Sequence, residues 1–146
     1  MLKKMPIGIQ GFESLRKDGY AYVDKTRLMY QMIDTGRYYF LSRPRRFGKS
    51  LLVSTLKAYF EGKREVFEGL EITQLEKDWT ARPVLMLDLN TNKYDTPEVL
   101  EMKLDESLRQ WEKLYGCERE DLPLGMRFEN VIRRAYAIAE QQIAPT

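Results

Sequence analysis

The stretch RYYFLSRPRRFGKSLL, residues 37–52, joins an aromatic and apolar run to a basic loop and then to Gly-Lys-Ser. Residues 37–42 are rich in aromatic side chains and too few for a helix, which is typical of a buried strand. From Lys49 to Phe60 the apolar residues recur at helical spacing. A basic loop between a strand and a helix predicts a phosphate-binding loop, because N–H groups at a helix N-terminus bind anions.

The loop departs from the usual pattern G-x-x-x-x-G-K-[ST] at its first position. Aligned on Gly48, Lys49 and Ser50, the pattern asks for glycine where this chain has Arg43. The following Pro44 fixes one backbone torsion and biases Arg43 towards an extended conformation. We therefore predict a stiffer loop that begins by prolonging the strand.

Each part of the loop has a predicted role towards phosphate. Gly48 can take a positive φ at no steric cost, and Lys49 neutralises phosphate charge while the Ser50 hydroxyl faces Mg²⁺. Arg45 or Arg46 adds guanidinium contacts to phosphate oxygens. The predicted binding residues form one continuous segment: Arg43, Pro44, Arg45, Arg46, Phe47, Gly48, Lys49, Ser50 and Leu51.

Two other interpretations of the loop stay open at this point. In the first, it is a solvated basic turn before an ordinary helix, with Gly48 only a bend. In the second, the cations within residues 43–49 contact nucleic acid and the aromatic residues 38–40 stack on bases, although those aromatics fit a buried strand better. The net charge of +2 does not indicate a globally basic surface.

Composition limits the class of protein. The 146 residues, 43% of them hydrophobic, suffice for one compact domain, 1–146. With no histidine, His-based triads and His-ligated metals are excluded. A single cysteine excludes an intrachain disulfide and fits a reducing compartment, and no apolar run approaches a membrane span. We expect a cytoplasmic protein without a membrane partner.

The remaining pattern alternates helices and strands. A short helix is predicted between Asp24 and Gly36, and another between a Thr96 cap and Gly116, with Pro97 at its first position. The run VLMLDLN, residues 84–90, is typical of a buried parallel strand. A last helix carries an apolar face with Phe128, Ile132, Ala135, Tyr136 and Ala139. This order predicts an α/β layered domain of the P-loop NTPase-like class.

Asp88, at the end of residues 84–90, is the candidate metal carboxylate. A P-loop ATPase positions Mg²⁺ with an acid that follows a second apolar strand. Asp88 fits that pattern, although it can equally end a purely structural strand.

The segment from residue 20 to residue 72, beginning YAYVDKTRLMYQMI and containing SRPRRFGKS, resembles the N-terminal AAA-ATPase-like domain of bacterial proteins common among gut Bacteroidetes. The similarity runs from MPIGIQGF near the start to about Ala139, nearly the whole chain. That family has arginine in place of the first loop glycine, and its members usually carry a PD-(D/E)xK nuclease-like domain afterwards. The resemblance implies ATP and Mg²⁺ as ligands, with Lys49 and Ser50 contacting them, and ATP hydrolysis by the intact domain. It also implies that YVDKT opens a helix.

The resemblance has a further implication. Similar domains place their apolar-Asp-Glu strand after the helix equivalent to residues 126–140, so Asp88 is expected to be structural. We expect the chain to be the front part of such a domain, truncated before its metal-carboxylate strand, with exposed strand edges that favour self-association. The catalytic residues stay unassigned. The competing hypothesis is a non-enzymatic interaction module whose basic loop binds phosphate or nucleic acid.

Overall fold

A computed structural model of the chain describes residues 2–42, 44, 48–89, 93, 95–117, 119 and 121–143. It divides into two compact units, Met1–Arg82 and Pro83–Thr146, each of which is described by itself. The first unit contains a 3₁₀ turn at Arg64–Phe67 in addition to its α-helices. The α-helices, in chain order, are α1 (Phe12–Lys17), α2 (Thr26–Thr35), α3 (Lys49–Phe60), α4 (Ile72–Leu75), α5 (Pro97–Tyr115) and α6 (Leu124–Ile143).

The predicted α/β fold is wrong, because the described residues form helices and turns and none of them lies in a strand. Both predicted strands are irregular where they are described, at residues 37–42 and 84–89. Tyr38 and Phe40 are 94% and 92% exposed, the reverse of a buried strand. High β-propensity alone does not make a strand, since a strand also needs a neighbouring chain to accept and donate its main-chain hydrogen bonds.

The four helices predicted from periodicity are confirmed, and their ends follow the expected signals. Gly36 follows α2 directly, and α3 covers the predicted range. Thr96 precedes α5, Pro97 is its first residue, and Gly116 ends it with a φ of 98°. These boundaries agree because proline at a first helical position and glycine after a last one relieve specific backbone restrictions.

The core of the first unit is made by aromatic and branched side chains around the 3₁₀ turn. Phe12, Phe67 and Ile72 are each 0% exposed. The Phe12 and Phe67 rings lie 4.8 Å apart, and Phe67 is 5.2 Å from Trp79. Aromatic pairs at these distances add to the stabilisation that burial gives. This core joins α1, α2, α3, α4 and the 3₁₀ turn.

Asp24 and Thr26 connect the start of α2 to the start of α4. The Asp24 carboxylate accepts hydrogen bonds from the Thr26 N–H at 2.9 Å and from the Glu71 N–H at 2.7 Å. The Thr26 hydroxyl donates to Asp24 at 2.6 Å and accepts from the Ile72 N–H at 3.1 Å. The VDKT segment thus opens α2, as the resemblance implies, and also satisfies the first N–H groups near α4.

The second unit is a pair of packed helices, α5 and α6. Leu108 and Trp111 of α5 and Val131 of α6 form its apolar centre. Arg127, 7% exposed, donates to Asp105 and to Glu112, whose Oε1 lies 2.9 Å from the Arg127 Nε. A buried guanidinium requires such carboxylate partners.

The predicted apolar face of α6 is only partly correct. Ala135 is buried, but Phe128, Ile132 and Tyr136 are 42%, 46% and 63% exposed. The buried residues Arg127 and Val131 lie one residue away from this stripe, although the Phe128 ring still lies 5.9 Å from the Trp111 ring. The reason is that α6 buries a guanidinium, which a search for apolar periodicity leaves out.

Candidate nucleotide site at the start of α3

Gly48 has the backbone conformation that the loop pattern predicts. Its φ of 80° and ψ of 18° are left-handed, and it is the residue before the first turn of α3. Its carbonyl accepts a hydrogen bond from the Leu52 N–H at 2.9 Å. A residue with a side chain would be strained there by about 1–2 kcal/mol, although an added Cβ would meet nothing within 4 Å. The predicted positive φ is therefore confirmed.

Lys49 and Ser50 are the first two residues of α3, and both are exposed. The first N–H groups of any α-helix have no acceptor within the helix, and the helix dipole places partial positive charge at that end. The ammonium of Lys49 adds a full positive charge in the same place. The arrangement suits an anion in solvent contact with the first turn of α3.

Leu51 anchors this first turn to the interior. Its side chain is partly buried and packs against the core of the first unit. Its carbonyl accepts hydrogen bonds from the hydroxyls of Ser54 at 2.9 Å and Thr55 at 2.6 Å. Leu51 therefore holds the start of α3 in place, and its side chain is directed at the core.

The rest of the predicted loop is described only in part. Pro44 is exposed and outside any helix. Arg43, Arg45, Arg46 and Phe47 lie outside the described residues. Their predicted contacts to phosphate remain predictions.

An apolar cleft beside the start of α3 was not predicted from the sequence. It has a volume of about 580 Å³ and lies wholly within the first unit. Its walls come from the N-terminal segment, residues 21–23, α2 and α3, and Gly48 and Leu51 are among them. The feature of the sequence that could have indicated the cleft is the pair Met29 and Met32 on α2, but this spacing is equally typical of a helix side that packs in a core.

The predicted Mg²⁺ ligands receive different support. Ser50 is exposed in the first turn of α3, where its hydroxyl can face a metal bound to phosphate. Asp88 belongs to the second unit, is exposed, and follows no strand. Within the described ranges no three His, Cys, Asp or Glu side chains come together as a metal site.

Residues 6–144 match a family described as predicted AAA-ATPase. The chain belongs to this AAA-ATPase-like family. It is also 41% identical, over 143 residues, to an "uncharacterized protein in vnfD 5'region" of Azotobacter chroococcum mcd 1. The resemblance noted from the loop and its flanks is thereby confirmed at the level of the family, whereas the nuclease-like partner domain and the link to Bacteroidetes remain predictions.

The alignment with the Azotobacter relative covers 97% of this chain and 28% of that protein, so the AAA-ATPase-like chain spans less than a third of its relative's length. No solved structure matches. Among the described helices, none combines the length and the apolar character needed to cross a bilayer.

Proposed function

We propose that this chain is the nucleotide-binding part of an ATPase, and that the start of α3 binds the triphosphate of ATP together with Mg²⁺. The observation that carries the proposal is the left-handed Gly48, which opens α3 directly onto Lys49 and Ser50 in a member of the AAA-ATPase-like family. A left-handed residue before the first turn lets several N–H groups converge on one anion.

Each group of the chain has a separate role in the proposed binding of ATP. The N–H groups of the first turn of α3 donate to phosphate oxygens. The Lys49 ammonium neutralises charge on the outer phosphates, and the Ser50 hydroxyl orients towards the metal. Bound Mg²⁺ supplies further charge neutralisation between phosphates. Arg45 and Arg46 are proposed as additional phosphate contacts.

We assign ATP binding to this chain and ATP hydrolysis only to the full-length protein. The Azotobacter relative is more than three times as long as the part aligned here, since the alignment covers 28% of it. A nuclease-like domain in the full-length protein, a cytoplasmic location and self-association are proposals of the same standing.

Titration with a fluorescent ATP analogue, with and without Mg²⁺, tests the proposal. Lys49→Ala is compared with Lys57→Ala, which removes the same charge from the same helix two turns later. We expect saturable, Mg²⁺-dependent binding by the unaltered chain and by Lys57→Ala, and a loss of at least about tenfold in Lys49→Ala, equivalent to about 1.4 kcal/mol. Equal binding by all three proteins would reject the site.

A second candidate function is binding of single-stranded nucleic acid. The observation in its favour is that Tyr38 and Phe40 are 94% and 92% exposed, close in sequence to the basic loop. Exposed aromatic side chains beside cations are the groups on which bases stack. Titrating a labelled oligonucleotide decides between the two: strongly salt-dependent binding that Phe40→Ala weakens and Lys49→Ala and Lys57→Ala reduce alike supports this candidate.

A further inference from the structure

The cleft in the first unit has the size and composition of a small-molecule site. Its volume of about 580 Å³ lies within the range of roughly 300–1,000 Å³ that is usual for ligand pockets. The side chains that line it are mostly aliphatic or Met, such as Leu28, Met29 and Met32 of α2. Met side chains adapt to flat aromatic surfaces and make favourable sulfur contacts with them.

The two threonine hydroxyls in the cleft are already used inside the protein. The Thr26 hydroxyl, in a residue 1% exposed, donates to Asp24 and accepts from the Ile72 N–H. The Thr55 hydroxyl, in a residue 3% exposed, donates to the Leu51 carbonyl at 2.6 Å. With these groups engaged, the walls offer mainly dispersion and burial, which favours a flat, largely apolar ring system.

The cleft and the proposed phosphate site share one residue. Gly48 lines the cleft and also precedes the first turn of α3. A single ligand that occupies both therefore needs a ring part and an anionic part separated by only a short distance. A nucleoside triphosphate has this construction.

We infer that this cleft holds the base of the bound nucleotide, with α2 forming one of its walls through Leu28 and Met32. The inference rests on the proposed ATP binding and adds to it the location of the base. It gives α2 a function in recognition, although α2 contributes nothing to the phosphate loop.

The test separates the two halves of the ligand by competing ATP and inorganic tripolyphosphate against the fluorescent analogue. The altered chain carries Leu28→Asn and Met32→Gln, neutral changes that keep side-chain size but remove the apolar wall. The control is Leu114→Asn, the same change at a residue on α5, 71% exposed and outside the cleft. We expect ATP affinity to fall about tenfold in the cleft variant, for the loss of roughly 1.4 kcal/mol of apolar contact, with tripolyphosphate affinity unchanged.

The outcomes distinguish this inference from the proposed function. If the unaltered chain binds neither competitor, the proposed function fails. If Lys49→Ala loses ATP while the cleft variant keeps the affinity of the Leu114→Asn control, the phosphate site stands and the base lies elsewhere.

Photolabelling supplies a measurement that does not depend on the cleft variant folding. The unaltered chain is irradiated with 8-azido-ATP, which attaches through its base, and labelled peptides are mapped. Labels on residues that line the cleft, within 5–6, 21–32, 41 or 48–55, support the inference, and labels confined to peptides that do not line it overturn it.

Discussion

The interior of the first unit and the interior of the second unit are stabilised by different interactions. The first unit packs aromatic rings around short helices and turns, with Phe12, Phe67 and Ile72 fully buried. The second unit packs two long helices, and its interior includes the charged side chain of Arg127 as well as Trp111 and Val131. From this difference we expect the stability of the first unit to depend most on its buried rings, and that of the second unit to depend on the ion pairs of Arg127.

The largest effect is expected from Phe67→Ala. It removes a fully buried ring that contacts Phe12 and Trp79, so the free energy of unfolding of the first unit should fall by about 3–5 kcal/mol. Hydrogen exchange, followed separately in the two units, measures this loss. Phe40→Ala, at a ring 92% exposed, is the matched control and should change stability by less than about 0.5 kcal/mol. Equal losses in the two variants would contradict the described core.

The next effect is expected in the second unit from Arg127→Met. The change leaves Asp105 and the nearly buried Glu112 without the guanidinium that they share. Because an unpaired buried carboxylate is costly, we expect a loss of about 3 kcal/mol. The double variant Arg127→Met with Glu112→Met should recover part of it, since no buried charge at Glu112 then remains. A double variant no more stable than the single one would show that the charges matter less than the shape of the guanidinium.

The structure of the second unit could be predicted from the sequence better than that of the first, because long helices have a regular apolar period and turns do not. Long helices repeat their apolar residues, so the range of α5 could be predicted from Thr96, Pro97 and Gly116 together with that period. The core of the first unit was missed because Val66, Phe67 and Leu70 belong to a 3₁₀ turn and adjoining turns, which have no such period. No helix or strand was therefore predicted for residues 61–72.

The predicted strands show the limit of local propensity. Residues 37–42 and 84–89 have strand-like composition, yet strand formation depends on a partner far away in sequence. A helix closes its hydrogen bonds within itself, so its prediction needs only local information. This is why α2, α3, α5 and α6 were predicted correctly, whereas the short helices α1 and α4 and the fold class were not.

Part of the candidate site could be predicted from local sequence and part of it could not. The conformation of Gly48 could be predicted, because a fixed motif spacing asks for a positive φ at that one residue. The cleft could not, because its walls come from segments as distant as Met5 and Thr55, and only the folded chain brings them together. Lys49 and Ser50 are placed by local geometry, whereas the wall on α2 is placed by tertiary packing.

The smallest change in stability is expected in the first unit, where a charged side chain is tested instead of an aromatic ring. Asp24→Ala removes the acceptor of three hydrogen bonds, from the Thr26 N–H and hydroxyl and from the Glu71 N–H. Since Asp24 is exposed, we expect a loss of about 1 kcal/mol at neutral pH, comparable with the loss of a helix cap. Asp34→Ala, at an exposed acid near the other end of α2, is the control.

The pH dependence of the same variant identifies the mechanism. Burial works to raise the pKa of Asp24, but hydrogen bonds from Thr26 and the Glu71 N–H outweigh it and hold that pKa below its ordinary value. A carboxyl with a lowered folded pKa stabilises the fold above its unfolded pKa, about 3.9, and this stabilisation is lost as the pH falls through the folded pKa. The unaltered chain should therefore lose more stability on acidification than Asp24→Ala does. If acid unfolding curves of the two proteins stay parallel below pH of about 4, the carboxylate charge contributes nothing, and the aromatic packing alone holds α2 against α4.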